Sequence, residues 1–377
     1  MPTFPGMDNF KGQIIHSHDY RHTQGYEGKR VVVVGIGNSG GDIAVEMSRV
    51  ASKTFISTRS GSWIYNRISV NGLPIDFSFN TRSYMAFRTI VGEKVFANMA
   101  HKQLNNRFDH SLYGLKPNFP VTAQHPTIND DLPNRVASGT LKIKPNIKGF
   151  TETGIEFDDG SKEENIDTVV LATGYLFGFP FLDESIIKVV DNKVELYKYM
   201  FPPNLKKNTL SIIGCFQPLG AINPISELQC RLATRVFKGD VTLPTKEEMW
   251  KDIHEKAEAM RTQYKTSTRH TIQVDFIDFM DQLATLNGNL PDIKSMIWRD
   301  PKLAYTCYFG PFTPYQYRLE GPGKWNGARE ALMTQIKRTK GAFKTGRVIT
   351  EEQSSSYSMV NVVCVILLGV FIYYMFM

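Results

Sequence analysis

The chain has 377 residues, of which 42% are apolar and 12% aromatic, enough for two domains with buried cores. Its formal net charge of +7 is spread along the sequence, with no basic stripe interleaved with aromatic residues. This distribution argues against nucleic-acid binding. The cysteines lack metal-site and C-x-x-C spacing, so we expect reduced thiols and no metal site; they are Cys215, Cys230, Cys307 and Cys364.

The first motif lies in the stretch FKGQIIHSHDY and combines Phe10, Gly12, His16 and Tyr20. In one interpretation His16 is catalytic and carries a proton near neutral pH. In the other the motif is a structural hinge at the entry to the following domain, with His16 hydrogen-bonded to backbone. We favour the hinge and keep His16 as the one catalytic candidate.

A strand, a glycine turn and a helix follow in KRVVVVGIGNSGGDIAVEM. The β-branched run Val31 to Val34 predicts a strand buried in a parallel sheet. Gly35, Gly37 and Gly40 then form a G-x-G-x-x-G turn, and a helix is predicted from Asp42 to Val50 with its positive end toward phosphates. Such a turn can also be purely structural. Its position between a strand and a helix favours a dinucleotide site.

The next strand, in KTFISTRSGSW, indicates which dinucleotide binds. It ends in Ser57, Thr58, Arg59 and Ser60, without a carboxylate. An NAD site usually has an acidic residue about 20 positions past the glycines, whereas an NADP site accommodates an arginine. The sequence therefore favours NADPH, the alternative being that Arg59 is a solvated loop cation.

The middle of the chain contains further predicted elements. Apolar residues at helical spacing predict a helix around Met85 to Asn106. A hairpin is predicted from Gly154 onward around the turn Asp158-Asp159-Gly160, followed by a buried strand that enters the sequence ATGY. This buried strand is predicted from Asp167 to Leu171. The remaining predictions are another buried strand in TLSIIG and helices near Glu227 to Phe237, Lys246 to Gln263 and Ile272 to Leu286.

The C-terminal segment from Met359 to Met377 is uncharged. As a helix it would be roughly 28 Å long at ~1.5 Å per residue, close to the ~30 Å hydrocarbon thickness of a bilayer. Basic residues upstream, between Lys337 and Arg347, should stay on the cytoplasmic side. We expect a transmembrane tail anchor with a cytosolic body. A buried or interfacial terminal helix is the alternative.

Five stretches in this order, FKGQIIHSHDY, GIGNSGGDIA, STRSG, LATGY and QPLGAINPISELQ, resemble the flavin-containing monooxygenases of vertebrate endoplasmic reticulum, the dimethylaniline N-oxide-forming type. The resemblance covers essentially the whole chain. It implies an enzyme of the endoplasmic reticulum membrane that uses FAD, NADPH and O₂. Through a flavin C4a-hydroperoxide, such an enzyme oxygenates nucleophilic nitrogen or sulfur in xenobiotics, or carries out Baeyer–Villiger oxidation of ketones.

The resemblance also carries over a set of cofactor-binding residues. It implies contacts to the pyrophosphate, to the 2′-phosphate and near the nicotinamide, and it assigns no catalytic residue. The pyrophosphate loop is Gly35, Gly37, Asn38, Ser39 and Gly40, the 2′-phosphate contacts are Thr58 and Arg59, and the residue near the nicotinamide is Gln217.

The expected fold class is α/β. A Rossmann-type NADPH-binding domain (residues 1–174) precedes an incomplete FAD-domain remainder (175–290), a helical and loop region with the basic flank (291–350) and the tail anchor (359–377). No FAD fingerprint is found in the sequence, so we expect impaired catalysis. The alternative is a non-catalytic, membrane-anchored NADPH-binding isoform that acts on or with a full-length relative, as a homo- or hetero-oligomer.

Overall fold

The computed structural model describes residues 1–69, 72–263 and 271–346. The chain falls into two units, Met1–Met333 and Thr334–Met377. The strands are β1 (Gln13–His16), β2 (Arg30–Val34), β3 (Lys53–Ser57), β4 (Ile64–Tyr65), β5 (Thr127–Ile128), β6 (Leu141–Lys144), β7 (Ile147–Phe150), β8 (Ile155–Phe157), β9 (Lys162–Glu163), β10 (Thr168–Leu171), β11 (Val189–Val190), β12 (Lys193–Val194), β13 (Gln217–Pro218) and β14 (Gln273–Val274). The α-helices are α1 (Asn38–Met47), α2 (Asp76–Phe79), α3 (Arg82–Val91), α4 (Glu93–Asn105), α5 (Leu132–Ala137), α6 (Ile222–Lys238), α7 (Lys246–Gln263), α8 (Phe276–Asn287), α9 (Ile293–Arg299), α10 (Pro301–Phe309) and α11 (Ala328–Ala342), and the 3₁₀ helices are Met7–Asn9 and Pro314–Arg318.

The first unit contains a five-stranded parallel sheet in the order β1-β10-β2-β3-β6. The valines of β2 alternate between its two faces: Val31 and Val33 pack with α1, and Val32 and Val34 pack with β7 and β8. Because both faces of the sheet are covered, β2 needs apolar side chains on both of its faces. The predicted α/β class and the predicted buried strand are confirmed.

Helix α1 begins at Asn38, four residues before its predicted start. Gly37, in extended conformation (φ −72°, ψ −178°), immediately precedes the helix, so the last glycine of the turn already lies in the first helical turn. The predicted hairpin is confirmed as β8 and β9, which pair antiparallel, and the predicted buried strand as β10. Helix α7 has the predicted bounds Lys246–Gln263.

The single helix predicted from Met85 to Asn106 is wrong. The structure has two helices, α3 and α4, separated by Gly92 at φ 78° and ψ 154°. This backbone conformation is outside the helical region and is favoured by glycine, so the chain breaks there. Thr81 sets the start of α3, since its hydroxyl accepts a hydrogen bond from the Tyr84 N–H at 3.0 Å.

The strand predicted in TLSIIG is also wrong, since residues 209–214 form no regular strand. The Ile212 N–H bonds to the Met200 carbonyl at 2.9 Å, and Ile213 is 39% exposed. A strand needs a neighbour that supplies ladder hydrogen bonds, and among the described residues this stretch has none. Pairing begins at Gln217, where β13 lies parallel to β14.

The same pairing shortens a predicted helix. The helix expected from Ile272 begins instead at Phe276, because Gln273 and Val274 pair with β13. Helix α6 is longer than predicted and begins at Ile222, with a proline in its first turn, where the missing N–H costs no hydrogen bond.

An ion pair at low exposure joins α3 to α8. The Arg82 guanidinium donates to both carboxylate oxygens of Asp281 at 2.5 and 2.8 Å, and Tyr317 donates to the same carboxylate at 2.6 Å. The Arg82 Nε–H also donates to Gln316 at 2.9 Å. A charged group is costly to bury because it loses its hydration. Loss of one partner of this ion pair would leave the other charge uncompensated, which is destabilising. The network ties α3 to α8 and to the 3₁₀ helix Pro314–Arg318.

Within the residues that the structure describes, no helix is both long enough and apolar enough to cross a membrane. The predicted anchor, Met359 to Met377, lies outside the described residues.

Candidate dinucleotide-binding site

A cavity of about 740 Å³ lies at the carboxyl ends of β2, β3 and β10. Ligands of open α/β sheets bind at this edge. All the residues predicted to contact the cofactor line the cavity: Gly35, Gly37, Asn38, Ser39, Gly40, Thr58, Arg59 and Gln217. The structure thus brings together three sequence stretches that are far apart in the chain.

Each glycine of the turn has its own geometric reason. A Cβ at Gly40 would lie 2.0 Å from the Gly35 carbonyl oxygen, so α1 can pack this closely on β2 only with glycine there. Gly35 itself has φ +107°, which side chains rarely adopt. At Gly37 an added Cβ would meet nothing within 4 Å. The space above Gly37 is therefore open, as a pyrophosphate on the N-terminus of α1 requires.

The end of β3 supplies a cation without an acidic neighbour. Thr58 is buried, and its hydroxyl accepts a hydrogen bond from the Gly61 N–H at 3.0 Å. Arg59 is exposed and lines the cavity, and within the described residues it has neither an ion pair nor a hydrogen bond. The described lining contains no carboxylate. This charge pattern suits a 2′-phosphate better than a free 2′-hydroxyl.

Gln217 lines the same cavity but comes from a part of the chain far from the glycine turn in sequence. Its backbone N–H bonds to the Ile272 carbonyl at 2.7 Å, and its side-chain Oε1 accepts from Gln273 Nε2 at 2.8 Å. The pairing of β13 with β14 therefore fixes the position of this side chain. Sequence analysis identified Gln217 by resemblance and missed Gln273.

His16 ends the edge strand β1 and does not belong to the described cavity lining. Its Nδ1 accepts the His18 N–H at 3.2 Å, and its Nε2 lies 3.2 Å from the Gly174 carbonyl oxygen. The ring meets Tyr175 edge-on at 5.3 Å between centroids. With both ring nitrogens engaged by backbone groups, the geometry favours the structural interpretation of this residue.

The other members of the first motif also make packing contacts. A Cβ at Gly12 would lie 2.5 Å from the Phe10 ring, and Phe10 in turn packs edge-on against Phe150 at 5.3 Å. Tyr20 donates to Glu46 of α1 at 2.7 Å. These contacts hold β1 against the sheet and α1, so the motif is part of the domain itself as well as its entry.

Asn192 was missed by sequence analysis. It lies in the turn between β11 and β12 with φ +59°, and its buried side chain accepts from the Phe177 N–H and donates to the Tyr175 carbonyl, both at 3.0 Å. These bonds fix the loop after ATG at the cavity edge. The signal was present, because Asp191 and Asn192 are residue types that tolerate positive φ and form a two-residue turn between the paired strands β11 and β12.

A smaller cavity of about 200 Å³ adjoins the large one, and both are lined by Gln124, His125 and Pro126. Its wall includes four aromatic rings from residues between β4 and α4, together with aliphatic, polar and charged side chains. The rings are Tyr65, Phe79, Tyr84 and Phe96. Short elements brought together only by tertiary packing form this pocket, and no sequence motif indicated it.

The sheet, glycine turn and cavity define a Rossmann-type dinucleotide-binding protein. A family model described as flavin-binding monooxygenase-like matches residues 1–377. Flavin-containing monooxygenase 5 of Cavia porcellus is 50% identical over 371 residues, 98% of this chain and 69% of that protein. The human protein of the same name is 51% identical over 359 residues, 95% of this chain and 67% of that protein. The chain belongs to the flavin-binding monooxygenase-like family.

Solved structures show the same fold. S-allyl-L-cysteine S-oxygenase from Allium sativum is 23% identical, with a TM-score of 0.52, over 91% of this chain and 61% of that one. Cyclohexanone monooxygenase from Rhodococcus sp. Phi1, bound to NADP⁺, is 14% identical, with a TM-score of 0.53, over 76% of this chain and 70% of that one.

The family predicted from the five motifs is confirmed, and with it the enzyme class, flavin-containing monooxygenase of the dimethylaniline monooxygenase type. FAD and NADPH are the cofactors of this family. The chain spans about two thirds of the length of its curated relatives, with 69% and 67% of the two named above.

Proposed function

We propose that this chain binds NADPH in the 740 Å³ cavity and serves a flavin-dependent monooxygenase reaction. The reaction uses NADPH and O₂ to oxygenate a nucleophilic nitrogen or sulfur, or to insert oxygen beside a ketone carbonyl. It consumes NADPH, a proton and O₂, and it yields NADP⁺, water and the oxygenated product. The observation that supports it best is the convergence of the glycine turn, Arg59 and Gln217 on one cavity.

In this proposal each part of the cavity holds one part of NADPH. The pyrophosphate lies above Gly37, where the N–H groups of the first turn of α1 lack intrahelical partners. Arg59 and Thr58 hold the 2′-phosphate, and Gln217 lies near the nicotinamide. Asn38 shapes the turn, because its side chain accepts the Ile128 N–H at 2.8 Å.

FAD supplies the activation of O₂ in this class of enzyme. Among the described residues, a single strand is followed by a G-x-G-x-x-G turn and a helix, and we assign that unit to NADPH. The described residues thus offer no second fingerprint for the pyrophosphate of FAD, and we assign none of them a role toward it.

We also propose that the 200 Å³ pocket receives the apolar part of the substrate. Its four aromatic rings provide dispersion and hydrophobic contact, and the pocket opens beside the cofactor cavity at His125. A molecule seated there would place its reacting atom toward that cavity. The predicted domain division at residues 174 and 290 stays part of the proposal.

The proposed reaction is tested with ¹⁸O₂. The purified chain, supplied with FAD, is incubated with NADPH, catalase and a tertiary amine, a sulfide or a ketone, and products are analysed by mass spectrometry. We expect one ¹⁸O atom in each product molecule, with product formed slowly because the described residues offer no second fingerprint for FAD. NADPH oxidation without labelled product, or no oxidation at all, would contradict monooxygenase activity of this chain.

The membrane location is a separate proposal, based on the uncharged sequence from Met359 to Met377 and the basic residues before it. We propose anchoring in the endoplasmic reticulum membrane with the body in the cytosol. The full chain is expected to stay in the microsomal pellet after carbonate extraction, and a variant ending at residue 358 to be released. Equal distribution of the two forms would refute the anchor.

A further inference from the structure

Two glutamine side chains form a pair at the edge of the cavity. Gln217 of β13 lies directly opposite Gln273 of β14 in the parallel ladder. The Nε2 of Gln273 donates a hydrogen bond to the Oε1 of Gln217 at 2.8 Å. Gln273 is only 5% exposed. Burial restricts the Gln273 side chain, so its hydrogen bond fixes the orientation of the Gln217 amide.

The pair leaves one defined group facing the cavity. Gln217 is partly exposed and lines the cavity, and among the described residues its Nε2 has no hydrogen-bond partner. Since its oxygen is already engaged by Gln273, the side chain presents N–H donors to a ligand. A free glutamine could present either end, so the neighbour decides which chemistry the cavity offers.

We infer that Gln273 is a positioning residue that holds Gln217 as a hydrogen-bond donor to the carbonyl oxygen of the nicotinamide carboxamide. This inference rests on the proposed NADPH site. Gln273 lines the smaller pocket and does not belong to the described lining of the large cavity, so it acts through Gln217. The predicted consequence is a preference among nicotinamide analogues that depends on a residue outside the cofactor cavity.

Three ligands separate this role from a general effect on the site. NADP⁺ carries a carboxamide with both a donor and an acceptor. Its 3-acetylpyridine analogue carries the acceptor alone, and 2′-phospho-ADP-ribose lacks the nicotinamide ring. Wild type is expected to bind NADP⁺ and the acetyl analogue with similar affinity, and both more tightly than 2′-phospho-ADP-ribose, by calorimetry with the full chain at pH 8.

Gln273→Glu is the informative variant. A carboxylate can only accept, and the Gln217 amide donor favours its ionised form, so the Gln217 amide must turn and present its oxygen to the cavity. NADP⁺ adapts by rotating its carboxamide to donate an N–H. The acetyl analogue has no donor, so its affinity is expected to fall about tenfold relative to NADP⁺, the size of one lost hydrogen bond.

Gln273→Leu removes the orienting donor without adding a charge. NADP⁺ and the acetyl analogue should then both weaken by about three- to tenfold, while 2′-phospho-ADP-ribose stays unchanged. Gln103→Glu and Gln103→Leu are the matched controls, because Gln103 is exposed on α4 and does not line either cavity. Circular dichroism confirms that each variant is folded.

Several results would overturn the inference. Equal losses for all three ligands would mean that Gln273 is merely structural, and unchanged or parallel affinities for NADP⁺ and the acetyl analogue in Gln273→Glu would show that the amide does not turn. If wild type binds NADP⁺ no better than 2′-phospho-ADP-ribose, the inference fails while the proposed NADPH site stands. If wild type binds none of the three, the proposed site itself fails.

Discussion

Gly40→Ala is expected to destabilise the protein by about 3 kcal/mol and to abolish measurable NADPH binding. The added Cβ would lie 2.0 Å from the Gly35 carbonyl oxygen, which is backbone and cannot rotate away. Either α1 moves off β2 or the glycine turn is distorted. In both cases the cavity floor changes, so stability and binding fall together. Urea denaturation and calorimetry measure the two effects.

Gly37→Ala is the matched control in the same turn. Its Cβ meets nothing within 4 Å, and its φ of −72° suits any residue, so the free energy of unfolding should change by no more than about 0.5 kcal/mol. The methyl group nevertheless enters the space assigned to the pyrophosphate, and NADPH affinity should fall about tenfold. Wild-type stability in Gly40→Ala, or wild-type affinity in Gly37→Ala, would contradict the assigned roles.

The parts of the fold that local sequence determines were predictable. The run from Val31 to Val34 is a strand because β-branched residues pack well on both faces of a covered sheet. The turn around Asp158 to Gly160 closes a hairpin because Asp and Gly are residue types that favour tight turns. In the site, glycines at fixed spacing carry their own geometric signature, which made the pyrophosphate loop the most predictable part.

Errors arose where tertiary partners decide the conformation. Apolar residues continue at helical spacing from α3 into α4, and only the backbone conformation of Gly92 breaks the helix. The stretch around Ile212 is apolar enough for a strand, yet the described residues give it no neighbour to pair with.

Long-range contacts in the site were equally hidden. Gln273 contacts Gln217 across 56 positions of sequence, and the Arg82 pairing with Asp281 spans 199 positions. Sequence motifs consist of residues at short, fixed spacings, so neither pair could be identified from a motif. The smaller, 200 Å³ pocket combines residues from several short elements that are distant in sequence. The sequence therefore did not indicate that these residues form a pocket.

Arg59→Ala is expected to weaken NADPH binding by about 10- to 100-fold and to leave NADH binding unchanged. A charge-assisted hydrogen bond to a phosphate is worth about 1.5–3 kcal/mol, and the guanidinium has no competing partner among the described residues. Arg261→Ala is the matched control, since Arg261 is exposed on α7 and pairs with Glu258. Its affinities for both nucleotides should equal those of wild type.

The central claim is that this cavity recognises the 2′-phosphate of NADPH, and the calorimetric comparison of NADPH with NADH on the wild-type chain tests it most directly. The structure predicts at least about tenfold tighter binding of NADPH, with the difference lost in Arg59→Ala. Equal affinities of wild type for the two nucleotides would contradict the account.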